Sequence, residues 1–307
     1  MCLTHTDDAY ARYRDELVAA GILIPLGVRG VYGRSGLFES IVDGFEGYVT
    51  RMGAHLNPEV MRFPPLFSRA TYEHTDHMNN FPDLMGSIHS FTGGDKEHAQ
   101  LLSQFQGKAD WGKSLSTSDL MMVPAACYPL YPTATGTLPD GGRRVDLKTF
   151  VFRHEPSDDP ARMQIFRQRE YVRLGTPDEA LEHRNYWLER GKQMLLAVGL
   201  EVTAVVANDP FFGRGGRVMK ATQKEQDLKY ELVVPICSTE KPTAVTSANL
   251  HLDHFGINYN IKSADGAPAH TACIGFGLER ITLALLKTHG FKLASWPREV
   301  LSLLALQ

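Results

Sequence analysis

The chain has 307 residues, 43% of them hydrophobic and 22% charged, so it is long enough for one large domain with a well-developed core. Its formal net charge of −3 gives no whole-molecule attraction for a polyanion, which argues against tRNA as a partner unless a local basic patch overrides it. The four cysteines form no CxxC pair and no apolar run is long enough to cross a bilayer, so we expect a cytoplasmic protein with no disulfide framework and no membrane partner.

The first quarter of the chain predicts two helices and a strand. Residues 7–20 predict a short helix. Between residues 37 and 52, apolar side chains recur at helical spacing, with Ser35 as a candidate N-cap and Gly53 at the other end. Residues 60–65 then predict a strand whose prolines favour an edge position. On these features alone, a core helix beside a loop remains an alternative.

The middle of the chain leads into a charged hairpin. Residues 96–105 predict a helix in a region that carries no recognisable binding motif, and residues 121–129 predict an apolar strand with Cys127 near its end. Two further strands, residues 147–153 and 164–173, are joined by a turn rich in Pro, Ser and Asp. Charge alone would suit a solvated edge ribbon.

Side-chain alternation divides this hairpin into two faces. Arg153 and Glu155 share one face of the first strand. The second strand places four large polar or charged side chains on one face: Arg167, Arg169, Tyr171 and Arg173.

The C-terminal half begins with the most clearly marked helix. Thr176 to Glu179 forms a capping box with proline at the first helical position, and Gly199 closes the helix. Residues 202–207 predict a buried strand, and residues 212–217 a glycine-arginine surface turn. Residues 229–235 predict an alternating strand that carries Lys229 and Glu231 on one face.

Near the C-terminus, residues 273–286 combine a Gly-x-Gly strand end with a helix that has an apolar stripe and carries Arg280. This segment resembles motif 3 of the class II aminoacyl-tRNA synthetases. The Phe-Arg-x-Glu of residues 152–155, followed by Arg-x-Arg-Glu-Tyr, resembles motif 2 of the same family. The helix of residues 37–52 with its strand resembles motif 1, the dimer element.

The resemblance covers about residues 37–286 and implies the class II catalytic fold, an α/β (α+β) architecture with a mostly antiparallel sheet flanked by helices. It leaves no room for a separate tRNA-binding domain. We therefore expect residues 1–307 to form a single catalytic domain that assembles as a homodimer.

In this family motifs 2 and 3 bind ATP with magnesium, and the resemblance implies these roles here. Arg153 would hold the α-phosphate or the substrate carboxylate through its planar guanidinium. Glu155 would accept a hydrogen bond from the adenine amino group, and Tyr171 would stack on the base. Arg162 would reach the outer phosphates and Arg280 the γ-phosphate. Arg153 and Arg280 are thus the expected catalytic residues.

Two later segments resemble seryl-tRNA synthetases in particular. Glu231 lies four residues before a proline, as in the strand that helps those enzymes bind ATP, and residues 246–249 resemble their Ser-Cys-Ser-Asn segment. The implied ATP contacts therefore include Lys229, Glu231 and Ser247. The family's magnesium-binding glutamate falls nearest Ala244, which puts magnesium binding through that position in doubt.

Cys127, Glu170 and Cys273 resemble the zinc site of the atypical archaeal seryl-tRNA synthetases. Three protein ligands with an open fourth position suit a substrate-binding zinc, whose fourth ligand would be the α-amino group of the amino acid. Without the resemblance, dispersed cysteines are ordinary small core residues. His251 and His254 form a rival set, which we interpret as surface or supporting residues.

A seryl-like catalytic core of this size with this zinc set resembles the amino acid:[carrier protein] ligases. That family activates glycine or alanine with ATP and passes it to the phosphopantetheine thiol of a carrier protein. A compact seryl-like aminoacyl-tRNA synthetase remains an alternative, as does a non-catalytic regulatory paralog. The presence of Arg153, Glu155 and Arg280 argues against the paralog, because charged residues are costly to bury unpaired.

Overall fold

The computed structural model describes residues 5–207 and 227–306, without the side chains of residues 5–8. Cys2 and the predicted turn at residues 212–217 lie outside the described residues. Within the described ranges every helix is too short or too polar to span a bilayer.

The helices of the described chain are α1 (His5–Ala19), α2 (Gly36–Gly53), α3 (Arg69–Glu73), α4 (His77–Asn80), α5 (Asp95–Gln106), α6 (Pro177–Ala197), α7 (His254–Asn258), α8 (Leu278–His289) and α9 (Arg298–Leu303). The strands are β1 (Leu23–Pro25), β2 (Tyr32–Arg34), β3 (Glu59–Arg62), β4 (Leu66–Ser68), β5 (Ser87–Ser90), β6 (Ser116–Met122), β7 (Gly136–Thr137), β8 (Arg143–Phe152), β9 (Ile165–Gly175), β10 (Thr203–Val206), β11 (Lys229–Val234), β12 (Thr243–Leu252), β13 (Ile261–Lys262) and β14 (His270–Gly277).

A seven-stranded sheet with the order β10-β11-β12-β14-β9-β8-β3 forms the centre of the fold. Its neighbours pair antiparallel except β3 and β8, which run parallel. β3 forms one edge and leaves Val60 exposed, which confirms the expected edge position, but the strand ends at Arg62 and does not extend through Pro64 and Pro65 to residue 65. Three smaller sheets accompany it: β4-β6-β5, β1-β2 and β13-β7.

Helices cover one face of the large sheet, which we call the back face. There Phe45 of α2 and Trp187 of α6 both meet Phe276 of β14, with ring centroids 6.1 and 6.2 Å apart. The opposite face, which we call the front face, carries Glu170 and Cys273. Because alternate residues of each strand point to opposite faces, the back face combines these apolar contacts with the buried, ion-paired Arg169 and Arg173, while Glu170 and Cys273 lie on the front face.

The predicted helix boundaries are confirmed where a cap marks them. Ser35 Oγ accepts a hydrogen bond from the N–H of Phe38 at the start of α2. Thr176 and Glu179 form the reciprocal capping box at the start of α6. Each cap satisfies backbone N–H groups that have no partner within the helix.

Two strand predictions need correction. The apolar segment at residues 121–129 is not a strand, because β6 ends at Met122 and the chain continues past Pro124 into a 3₁₀ turn, Tyr128–Ala134. Proline has no N–H to donate to a ladder. Within residues 202–207, Thr203–Val206 form β10, which is the other edge of the large sheet; these four side chains are exposed or half-buried, and only the adjacent Val202 is buried as expected.

Candidate active site

The register of the large sheet brings three predicted site residues into one row on the front face. Glu231 of β11 lies opposite Ser247 of β12, Ser247 lies opposite Gly275 of β14, and Gly275 lies opposite Glu170 of β9. With strands about 4.8 Å apart, the row spans roughly 14 Å from Glu231 to Glu170. Gly275 leaves the middle of this row open, since a Cβ there would only touch Glu170 and Ser247 at 3.6 Å.

Cys127, Glu170 and Cys273 converge although they come from three separate elements. The ligand atoms of all three lie within 4.8 Å of one another, and all three residues are buried. Cys127 follows the loop after β6, which is fixed by the N–H of Ala126 donating to Glu170 Oε1 at 3.1 Å. The predicted ligand set therefore forms one cluster.

The chemistry of this cluster fits a zinc ion. Glu170 Oε2 is buried and accepts no hydrogen bond from any N–H or O–H group of the described residues. Burial, reinforced by Cys273, raises the pKa of Glu170 to about 8. The hydrogen bond between the two thiols lowers the pKa of Cys273 and raises that of Cys127, so one of the two is poised to be a thiolate. Two cysteine sulfurs and a carboxylate oxygen are ligands that zinc accepts.

Two further side chains surround Cys273. Asn249 Nδ2 donates to the Cys273 sulfur at 3.4 Å, and His251 Nε2 lies 3.6 Å from it. Nδ1 of His251 forms a hydrogen bond with Thr271 Oγ1 at 3.0 Å. Neither residue belongs to the three-residue cluster. His254 points elsewhere, with Nε2 3.8 Å from the carboxylate of Asp76.

Two arginines lie close to the ring of Phe166, near the N-terminal end of β9. The guanidinium carbons of Arg153 and Arg280 lie 5.6 and 5.9 Å from the ring centroid of Phe166. Arg280 is held by hydrogen bonds to the carbonyl oxygens of Ala161 and Ala244, at 2.8 and 2.9 Å. Burial and the charge of Arg153 lower the pKa of Arg280, so an anion placed between the two arginines would relieve their repulsion.

Two other predicted nucleotide contacts hold each other. Arg162 Nη1 donates to Glu155 Oε2 at 2.9 Å. The Arg162 side chain is 56% exposed, so this ion pair faces solvent and can exchange for a ligand at little cost. At the β11 end of the row, Lys229 Nζ lies 3.4 Å from Glu231 Oε1. The Ser247 hydroxyl accepts from Asn249 Nδ2 at 3.4 Å.

The prediction that Tyr171 stacks on the base is wrong. Tyr171 lies on the back face, 1% exposed, and stacks on Trp187 with the ring centroids 4.3 Å apart. It differs by one position from Glu170, and adjacent residues of a strand point to opposite faces. Phe166 is the aromatic residue of β9 that shares a face with Glu170. The sequence contained this signal, because the assignment of Glu170 as a metal ligand already fixes which face of the strand is the site.

No protein-family model matches the chain. Two curated proteins of Bradyrhizobium diazoefficiens are similar over nearly its whole length. Amino acid–[acyl-carrier-protein] ligase 1 is 41% identical over 99% of this chain and 94% of its own length. Amino acid–[acyl-carrier-protein] ligase 2 is 42% identical over 94% of this chain and 87% of its own length. The type-2 serine–tRNA ligase of Methanopyrus kandleri is 27% identical, over 86% of this chain and 54% of its own length.

Solved structures define the fold. The seryl-tRNA synthetase of M. kandleri, in complex with A. aeolicus tRNASec, superposes with a TM-score of 0.80 at 21% identity, over 95% of this chain and 59% of its own. The seryl-tRNA synthetase of Pyrococcus horikoshii complexed with ATP gives a TM-score of 0.69 at 16% identity, over 95% of this chain and 62% of its own. These neighbours confirm the predicted class II aminoacyl-tRNA synthetase catalytic fold. With near-complete coverage by two ligases at more than 40% identity, the chain is a ligase and belongs to the family of amino acid–[acyl-carrier-protein] ligases.

Proposed function

We propose that this chain activates glycine or alanine with ATP and transfers the aminoacyl group to the phosphopantetheine thiol of a carrier protein. The observation that carries the proposal is the layout of the front face of β9. Phe166, whose ring centroid lies 5.6 and 5.9 Å from the guanidinium carbons of Arg153 and Arg280, is four residues from Glu170 of the cysteine-carboxylate cluster, which is about 13 Å along a strand. An aminoacyl adenylate has its base at one end, its amino group at the other and its phosphate between them.

The first step joins the amino acid to AMP. A carboxylate oxygen of the amino acid attacks the α-phosphorus of ATP, the bond to the β-phosphate oxygen breaks, and pyrophosphate leaves. Arg153 neutralises charge at the α-phosphate, while Arg280 and Arg162 hold the outer phosphates. Phe166 supplies the platform for the adenine. Such a displacement depends on positioning and charge neutralisation and needs no protein nucleophile.

The nucleotide is bounded on its other side by the row that begins at β11. The assignment of Lys229, Glu231 and Ser247 to the nucleotide is supported by their common position on the front face of the sheet. Magnesium is usually held by one or two carboxylates together with phosphates, and Glu231 supplies one carboxylate here. Position 244 supplies none, since Ala244 contributes only its backbone carbonyl, which is bonded to Arg280.

The amino-acid end of the site lies at Cys127, Glu170 and Cys273. When bound there, zinc would hold the α-amino group of the substrate in its unprotonated form. The closed surroundings support a small side chain. Tyr131 is fully buried next to Cys127, and it stacks on Phe255 with ring centroids 3.8 Å apart.

In the second step the thiol sulfur of the carrier attacks the carbonyl carbon of the adenylate. The bond to the phosphate oxygen breaks, AMP leaves, and the thiol proton goes to solvent. The names and near-complete coverage of the two B. diazoefficiens relatives support a carrier protein as acceptor instead of tRNA. We further propose that residues 1–307 act as one catalytic domain, in a cytoplasmic homodimer formed through α2.

Amino-acid-dependent ATP–pyrophosphate exchange tests the proposal. The wild-type protein is expected to exchange with glycine or alanine, and Arg153→Ala and Arg280→Ala are expected to abolish the exchange. Arg143→Ala is the matched control: it removes an arginine of the same hairpin that is paired with Glu59 at 2.7 Å, away from the site. Full exchange in the Arg153 and Arg280 variants would contradict the mechanism.

A further inference from the structure

β9 loses one of its neighbours beside the nucleotide site. β14 pairs with β9 from His270 opposite Gly175 to Gly277 opposite Gln168, and then turns into α8 at Leu278. The next residues of β9, 165–167, remain paired with β8 on one side. On the other side, no strand among the described residues takes the place of β14.

Two side chains replace the missing strand. Glu279 Oε2 accepts a hydrogen bond from the backbone N–H of Arg167 at 2.6 Å. Arg34 Nη2 donates to the backbone carbonyl of Ile165 at 3.0 Å. Arg34 and Glu279 also form an ion pair of 3.3 Å with each other. Together they present to β9 one acceptor and one donor, as the edge of a strand would, and so satisfy backbone groups that are costly to leave unpaired.

Arg34 and Glu279 belong to a group of four charged side chains that also includes Arg167 and Glu39. Arg167 Nε donates to Glu279 Oε1 at 2.8 Å, and Arg167 Nη2 donates to Glu39 Oε1, in the first turn of α2, at 2.9 Å. Phe150 lies beneath both guanidiniums, 5.3 Å from Arg167 and 5.7 Å from Arg34. Glu279 is 1% exposed, and a carboxylate so deeply buried requires this complete pairing.

The two clamped peptide groups lie on either side of Phe166, and Glu279 immediately precedes Arg280. We propose that Arg34 and Glu279 are positioning residues of the nucleotide site, which take the place of a strand beside β9 and thereby hold the Phe166 ring and the Arg280 guanidinium in register for ATP. The inference rests on the proposed function for the identity of the nucleotide. Neither side chain touches ATP; each acts through Phe166 and Arg280.

The test compares two buried carboxylates that each face an arginine of β9. Glu279→Gln replaces one carboxylate oxygen by an NH₂ group, which cannot accept a hydrogen bond. The side chain then can no longer use two oxygens to accept from both the backbone N–H and the Nε–H of Arg167. Asp146→Asn is the matched control, since Asp146 is 2% exposed and is paired with Arg169 two residues further along β9, where both neighbouring strands are present. We expect Glu279→Gln to weaken equilibrium ATP binding and to raise the KM for ATP about tenfold, because small misplacements are expensive at a positioned site. Asp146→Asn is expected to keep both values within about twofold.

Arg34 provides a second route if Glu279→Gln does not fold. Arg34→Gln is expected to raise the KM for ATP with a smaller change in kcat, while the KM for the amino acid and the metal content stay as in the wild type. Arg34→Lys, which keeps a donor for the Ile165 carbonyl, is expected to recover part of the loss. Calorimetric ATP binding separates the two claims. Wild-type protein that binds no ATP would overturn the proposed function, whereas equal ATP affinity in wild type, Glu279→Gln and Arg34→Gln would overturn the positioning role alone.

Discussion

Tyr171 and Trp187 stack with ring centroids 4.3 Å apart and ring planes inclined by 17°. The hydroxyl of Tyr171 reaches the C-terminal end of α2, where it donates to the Val49 carbonyl at 3.4 Å. Gly53 leaves the space for it, because a Cβ at that position would overlap the Tyr171 hydroxyl. These contacts make Tyr171 part of the packing between β9, α2 and α6. They leave Phe166 as the aromatic residue of β9 on the opposite face, where we propose that it stacks on the adenine.

The exchange of roles between these two aromatic residues predicts opposite mutational effects. Phe166→Leu is expected to raise the KM for ATP about tenfold, since stacking on a base contributes roughly 1–3 kcal/mol. Tyr171→Phe keeps the stack on Trp187 and is expected to leave the KM for ATP unchanged. Steady-state exchange kinetics with varied ATP measure both. If Tyr171→Phe raised the KM for ATP more than Phe166→Leu does, the adenine would bind at Tyr171 on the back face, and the assignment to Phe166 would be wrong.

Removal of a cluster ligand is expected to separate metal binding from nucleotide binding. Cys273→Ser replaces a thiolate by a hydroxyl, so zinc content should fall from about one per chain to nearly none. Amino-acid-dependent exchange should be lost with it, while ATP still binds. Elemental analysis and calorimetry on the same preparation measure these quantities.

Cys237→Ser is the control for this experiment. Cys237 is half-buried, outside the cluster, beside Tyr13 and Lys287. Its variant is expected to retain both zinc and exchange. Retention of zinc by Cys273→Ser, or its loss in Cys237→Ser, would show that the metal is held elsewhere.

His183 makes stability depend on pH in the acid range. Burial lowers its pKa to about 4 from the usual 6.5, and its Nε2–H donates to the Tyr171 carbonyl at 3.1 Å. The unfolded chain takes up a proton near pH 6.5 and the folded chain does not, so this stability is complete above pH 6.5 and is lost as the pH falls toward 4. Between pH 7.5 and pH 5 the loss from His183 should be about 2 kcal/mol.

Urea unfolding of wild type and His183→Gln at several pH values measures this contribution. Glutamine keeps a donor for the Tyr171 carbonyl but does not titrate. The stability difference between the two proteins is expected to shrink by about 2 kcal/mol from pH 7.5 to pH 5. A difference independent of pH would mean that the pKa of His183 is the same in the folded and the unfolded chain.

The elements that the sequence predicted well are those encoded by neighbouring residues. The capping box at Thr176, the N-cap at Ser35 and the motif 2 hairpin each depend on contacts within a few positions. The boundary of β6 was missed, because Pro124 and Pro129 stop the ladder within an apolar run that otherwise has the composition of a strand. β10 was predicted as buried because its apolar residues do not reveal that it is an edge strand.

At the site, the convergence of Cys127, Glu170 and Cys273 was predicted through a family resemblance and not from spacing. The pairing of Arg34 with Glu279 had no sequence signal. These residues are far apart in the chain, and their meeting depends on the place where β14 leaves the sheet. Such a contact follows from topology, which local patterns do not encode.

Transfer of the activated amino acid tests the central claim most directly. Radiolabelled glycine or alanine, ATP and the protein are incubated with a carrier protein bearing its phosphopantetheine arm, with the same carrier lacking the arm, and with tRNA. We predict label on the armed carrier alone, in a bond that neutral hydroxylamine cleaves as it does a thioester. Label on tRNA, or exchange with no transfer to any armed carrier, would contradict the account.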